Sequence, residues 1–254
     1  MSGFFNTTLI QPLYNALIFL VGAVPMADLG IAIIILTIIV RFLIYPISRN
    51  AIESQIKIKD IQGDLKKIQK KYKDDRQQMS LEMMKLYKEK NIKPFSSFLL
   101  ILIQLPIIIA LFYVFSRTGL PEINADFLYS FVELPDRLNP NVLGYFEIAS
   151  KSAILAFLAA FTQFIQAQVM FRKNGMLNRK EDEKDGDKKD KGMMNDMMKG
   201  MQFQMKYVMP IFMYFISFSL GSLVTIYFIT GNIFSIFQEI YIKSKLMKVD
   251  KKVI

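Results

Sequence analysis

Residues 29–47 read LGIAIIILTIIVRFLIYPI, an apolar run of membrane-crossing length interrupted by one cation, Arg41. A cation near the middle of a lipid-embedded helix costs roughly 2.5–3.5 kcal/mol on insertion scales. The expectation is that no Asp or Glu lies in any of the membrane-length segments to neutralise it. Two accommodations stand open: Arg41 faces a wet, protein-lined cavity, or it snorkels, since Ser48 follows about 10 Å along a helix axis.

Around this stretch the composition fixes the broad class. Hydrophobic residues make up 52% of the chain, yet it carries 32 Lys and Arg against 22 Asp and Glu, so apolar and charged residues must be segregated into blocks. The expectation is an all-α polytopic membrane protein. The chain has neither Cys nor His, which excludes disulfides, thiolate nucleophiles, imidazole bases and the usual zinc or haem ligand sets. No enzyme chemistry, cofactor or metal is expected. The net charge of +10 suits the retention of loops in the cytoplasm better than specific DNA binding, which is not expected.

Five stretches are apolar enough to span, and they divide the chain into segments. Residues 1–27 form an extracytoplasmic amphipathic helix in the interface, 28–48 the first span, and 49–94 a cytoplasmic basic helical hairpin. The second span is 95–116, the extracytoplasmic loop 117–150, and the third span 151–171. A cytoplasmic loop, 172–206, joins a charged linker to a Met-rich helix. The fourth span is 207–219, the fifth 222–242, and the cytoplasmic tail 243–254. Residues 207–241 as a single rod would be about 52 Å long, well beyond a ~30 Å hydrocarbon core, so a turn is expected near Ser219 to Ser222. Of the 32 cations, 28 lie in the hairpin, the 172–206 loop and the tail, which places the amino terminus outside and the carboxyl terminus in the cytoplasm. Leu9 to Val24 is apolar but short, with Gln11, Pro12 and Asn15 near its start. It reads as interfacial, although charge counting leaves a sixth span open.

In the hairpin Ile61, Leu65, Ile68 and Tyr72 recur at helical spacing, continued by Met79, Met83 and Leu86. Lys73, Asp74 and Asp75 form the turn, with Asp74 and Gln77 at the spacing of a helix cap and its third residue. The first arm, Asn50 to Tyr72, is expected to be one helix. Its outer face carries Lys66, Lys67, Lys70 and Lys71. Anionic lipid headgroups, ribosomal RNA or acidic protein clients would each answer that charge, as would plain solvation. Residues 180–191 are almost entirely charged and read as disordered linker. The methionines from Met193 to Met205 either hold apolar segments in transit or belong to a helix anchoring the fourth span.

Taken in order, these residues resemble the YidC/Oxa/Alb membrane insertases over nearly the whole chain. Arg41 followed by Pro46 is similar to that family's groove arginine and helix-ending proline. Glu82 to Tyr87 in the hairpin, Lys93 to Phe95 leading to Ile103 to Pro106, Gln163 to Gln166, and Tyr227, Phe228 and Asn232 resemble successive family motifs. The chain departs from the pattern at Ser96 to Phe98, at Gly221 to Leu223, and at Phe228, where Trp is frequent. The likeness is to the short form, without a large extracytoplasmic domain.

The resemblance implies a five-helix core around a polar groove open to cytoplasm and lipid, acting without nucleotide hydrolysis. Arg41, Thr37, Gln104, Gln163, Gln166 and Phe228 are the candidate groove residues; for Gln104 and Gln163, interhelical hydrogen bonding is an equal reading. Lys66, Lys67, Lys70, Lys71, Met79 and Met83 are candidate contacts to client, ribosome or lipid. Implied partners are nascent membrane protein clients and anionic lipids, with a Sec translocon, the ribosome or the signal recognition particle pathway also in view. The implied location is a bacterial plasma membrane. A transporter or channel is the alternative, and a scaffold docking ribosomes or a translocon a third reading.

Overall fold

The computed structural model describes residues 3–24, 28–94, 96–117, 123–133, 135, 139, 141–142, 144–147, 150–171, 200 and 202–250. Within these the regular structure is α- and π-helical, joined by turns and loops, apart from one short turn of 3₁₀ helix, Ala125–Phe127, and a two-residue antiparallel pair, β1 (Asn141–Val142) with β2 (Phe146–Glu147). The helices are α1 (Gly3–Ala23), α2 (Leu29–Leu43), α3 (Tyr45–Asp60), α4 (Gln62–Lys71), α5 (Arg76–Glu89), α6 (Ser96–Arg117), α7 (Ala153–Phe171), α8 (Met209–Leu220) and α9 (Ser222–Asp250). The charged linker at 180–191 and most of the Met-rich segment lie outside the described residues. Met205 falls in the π-helical turn Gln204–Val208 that leads into α8.

Among the described residues three helices are long and apolar enough to cross a membrane: α1, α7 and Ser222–Leu246 of α9. The bent pair α2 and α3 makes a fourth. The fifth and sixth apolar helices, α6 at 22 residues and α8 at 12, complete the bundle. At its centre is the start of α9, where every residue from Gly221 to Phe228 is buried. The turn into α9 is made by Gly221, at φ 85°, a left-handed backbone that a side chain disfavours. Thr225 fastens this turn by donating to the carbonyls of Gly221 at 2.8 Å and Ser217 at 3.0 Å.

α1 lies closer to the core than its composition suggests. Ile10, Tyr14, Leu17, Ile18 and Val21 form one buried stripe packed with Leu29, Ile33, Leu111 and Val114, while Phe4 and Phe19 are exposed. Polar side chains on the same helix hold down the segment from Asn124 to Tyr129. Asn15 Nδ2 donates to the Phe127 carbonyl at 2.8 Å, its Oδ1 accepts from Tyr129 N at 2.6 Å, and the Tyr14 hydroxyl accepts from Asn124 N at 2.8 Å.

The first long stretch begins at Asp28, whose carboxylate accepts from Gly30 N and Ile31 N and so caps α2. It does not continue straight to Ser48: the helix bends by 62° at Ile44, between α2 and α3. Pro46 accounts for the break. Its ring has no N–H and would clash with the preceding turn in a continuous helix, but it fits at the second position of a new one.

The basic hairpin expected after the first apolar stretch is present with two local differences. Its first arm is not one helix; it restarts after Ile61, beside Asp60 and Gly63, both weak helix formers. The second arm is capped by Asp75 rather than Asp74, the Asp75 carboxylate accepting from Gln78 N at 2.9 Å. Ile61, Leu65, Met83, Tyr87 and Ile92 form a small separate core between the arms, with Ile68, Met79 and Leu86 packed against it.

Candidate functional site

Arg41 stands in the last turn of α2, where unpaired helix carbonyls favour a cation. Its side chain is half-buried and turns onto α9. Nη2 lies 2.5 Å, and Cζ and Nε 3.3 Å, from the point where a Cβ on Gly231 would be. Among the described residues no carboxylate lies within ion-pair distance of the guanidinium. The expectation of apolar stretches without an acidic residue is corrected by two carboxylates inside them, Asp28 and Glu239. Both are engaged elsewhere, Asp28 as a helix cap and Glu239 with Lys243 at 2.7 Å.

Tyr227, one turn before Gly231, is buried and within electrostatic reach of Arg41. Its hydroxyl accepts a hydrogen bond from Gln104 Nε2 on α6, so three helices meet at one polar seam. Thr37, one turn before Arg41, is buried and donates to the Ile33 carbonyl at 2.6 Å, which satisfies its hydroxyl within α2. Next to it is a narrow cleft, too tight to hold a water molecule, lined by Thr37, Tyr227 and aliphatic side chains of α1, α2 and α6.

The remaining sequence candidates are placed differently. Gln163 and Gln166 are half-buried on α7, on the stripe that also carries Ala159 and Thr162, and neither has a hydrogen-bond partner among the described residues. Asn232 of α9 reaches that stripe, donating to Thr162 Oγ1 at 3.2 Å and the Ala159 carbonyl at 3.4 Å. Phe228 belongs to the main apolar core, its ring tilted against Tyr227. In the hairpin Lys66, Lys67, Lys70 and Lys71 are all exposed, Lys67 pairing with Asp64 at 3.0 Å. Met83 is buried between the arms and Met79 half-buried there, while Leu81 and Met84 are the exposed apolar residues of that arm. Burial between the arms also pushes the Tyr87 phenol up from its ordinary pKa.

Sequence reasoning missed several of the polar pins. Gln238 Nε2 donates to Ser48 Oγ at 2.6 Å, tying α9 to α3. Lys243 Nζ donates to the Val169 and Met170 carbonyls at 2.5 and 3.2 Å, closing the last turn of α7 while it pairs with Glu239. The i, i+4 spacing of Glu239 and Lys243 was the available signal.

Fold and site together define a multi-pass helical membrane protein with a cation that has no carboxylate partner among the described residues, held in a polar seam of its bundle. The family model described as 60Kd inner membrane protein matches residues 20–250. A membrane protein insertase YidC of Clostridium tetani is 36% identical over 220 residues, 86% of this chain and 83% of the relative. Relatives of the same description from Oceanobacillus iheyensis and Clostridium perfringens are 32% and 31% identical, over 96% and 93% of this chain. The chain belongs to the 60Kd inner membrane protein family, the YidC/Oxa insertases.

Proposed function

We infer that this chain is a membrane protein insertase, as its relatives are described, acting on nascent membrane protein clients. Insertion makes and breaks no covalent bond, so the chain is a passive catalyst rather than an enzyme in the chemical sense. Passage of a client's polar tail is slow because its peptide groups and charges lose water without gaining partners. A groove open to cytoplasm and to lipid shortens the dry path, and Arg41 attracts acidic residues of the tail as it enters. Tyr227 and Gln104 supply polar wall, with Gln163 and Gln166 further along. The client's apolar segment meanwhile partitions into lipid beside α7 and α9, driven by its transfer from water. Exposed Phe157, Phe161 and Phe237 on those helices suit a lipid-facing path.

The observation that carries this reading is Arg41, half-buried against α9 without a carboxylate partner among the described residues. An arginine kept solely to bind two helices together would be paired. The orientation follows from the cation count: amino terminus outside, hairpin and tail in the cytoplasm of a bacterial cell, with α1 seated against the bundle at the outer interface. The exposed lysines of the hairpin face anionic lipid and, through a Sec translocon, the ribosome or the signal recognition particle pathway, the machinery that delivers clients.

Reconstitution in liposomes tests the proposal. A short single-span client with an acidic tail is offered alongside a solute-flux assay. Arg41→Ala is expected to lower insertion at least about tenfold without opening a solute leak. Wild-type protein that conducts solute but inserts no client would favour a transporter or channel instead. Loss of insertion only on hairpin deletion, with Arg41→Ala silent, would favour a docking scaffold.

A further inference from the structure

We propose that Gly231 is the seat of the Arg41 guanidinium, a positioning residue that sets where the cation sits in the groove; this rests on the insertase reading above. The observation is a close approach. A methyl at position 231 would stand 2.5 Å from Arg41 Nη2 and 3.3 Å from Cζ and Nε, whereas one at Gly22, another helical glycine, would meet nothing within 4 Å. Ordinary contact between such atoms is about 3.5–4.0 Å, so the cation and any side chain at 231 exclude each other.

The seam around Gly231 gives this its meaning. Tyr227, Gly231, Phe234 and Gln238 recur at four, three and four residues and form one stripe of α9. Tyr227 takes a hydrogen bond from Gln104, Phe234 packs edge-on against Phe42 at 5.2 Å, and Gln238 donates to Ser48 at 2.6 Å. Three of the four positions therefore meet a neighbouring helix through their own side chains. At the fourth, the one glycine of α9, an arginine from α2 lies on the backbone. The pins above and below fix the spacing of the helices, and the missing side chain leaves a slot of guanidinium depth.

Gly231→Ala separates position from stability. Alanine is the better helix former, and the group it displaces is the far end of a flexible side chain, so the helices stay where they are. The guanidinium must instead retreat by about 1 Å or swing out of the seam, and mispositioning on that scale is enough to erode a geometry-dependent step.

The test uses the full chain in liposomes with two clients that differ only in their tails, one bearing aspartates and the other the matching asparagines. Gly231→Ala is expected to slow insertion of the acidic-tail client at least about fivefold, leave the neutral-tail client within about twofold, and keep the unfolding temperature within about 2 °C of wild type. In an Arg41→Ala background the same change should alter neither client further, because the group it displaces is gone. Equal loss for both clients with a lowered unfolding temperature would reduce Gly231 to a packing residue and overturn the proposal. So would wild-type insertion of both. Nitrogen NMR of the Arg41 Nε–H group in nanodiscs reads the seat independently of any client. A resonance unmoved by Gly231→Ala overturns the seat, whereas a moved resonance with Arg41→Ala silent on both clients keeps the seat and sinks the insertion mechanism.

Discussion

The apolar bundle and the basic hairpin are both helical, yet they are held by opposite means. In the hairpin, five buried residues from Ile61 to Ile92 make a small apolar core, and the charged pairs are local and exposed, Lys67 with Asp64 and Lys85 with Glu82. In the bundle, polar side chains reach across from one helix to another: Gln104 to Tyr227, Asn232 to Thr162, Gln238 to Ser48 and Lys243 to the end of α7. The solvent explains the contrast. Water drives apolar faces together, but lipid is as apolar as leucine, so helices embedded in it are fixed by close packing and by hydrogen bonds. Where the surroundings give no hydrophobic push, the chain spends its polar groups on register.

The sharpest way to break this comparison is Lys243→Met. Glu239, its side chain only 7% exposed, would lose its counter-ion, and the α7 carbonyls would lose their donor. The expected loss is about 3–5 kcal/mol, read as a lower unfolding temperature in nanodiscs. Replacing both partners by apolar residues should recover most of it, and a single variant as stable as wild type would show that the pair is no pin.

Leu65→Ala comes next, at about 2–5 kcal/mol, and should stay local. Amide hydrogen exchange is expected to rise in α4 and α5 while α7 and α9 keep their protection. If exchange rises in the bundle as well, the hairpin and spans are one cooperative unit and the contrast fails.

Asn232→Ala should be the mildest, about 0.6 kcal/mol and at most ~2, the range of single hydrogen bonds between membrane helices. Its bonds to α7 at 3.2 and 3.4 Å are long. A loss as large as that of Lys243→Met would mean that neutral pins, rather than the ion pair, dominate register.

The apolar helices were legible because hydropathy and charge blocks separate lipid-suited from water-suited segments directly. Arg41 was legible for the same reason, as a charge where none belongs. The reading of α1 was harder: an apolar residue facing lipid and one facing protein look alike in sequence, so the buried stripe from Ile10 to Val21 left no distinct mark. Pro46 was visible but ambiguous, since a proline ends one helix and starts another with the same geometry. The cap of α5 was misplaced by one residue because Asp74 and Asp75 are adjacent and each is followed three residues later by a glutamine. Gly231 could not be singled out at all, because glycine is common in membrane helices and its meaning lies in a partner 190 positions away.

The bend at Ile44 has a mechanical consequence. Arg41 lies three residues before it, and α3 runs rigidly for 16 residues after it, about 24 Å of helix. Ser48, held by Gln238, sits close to the corner like a fulcrum. A displacement of α3 would therefore reach the guanidinium through a corner only three residues away.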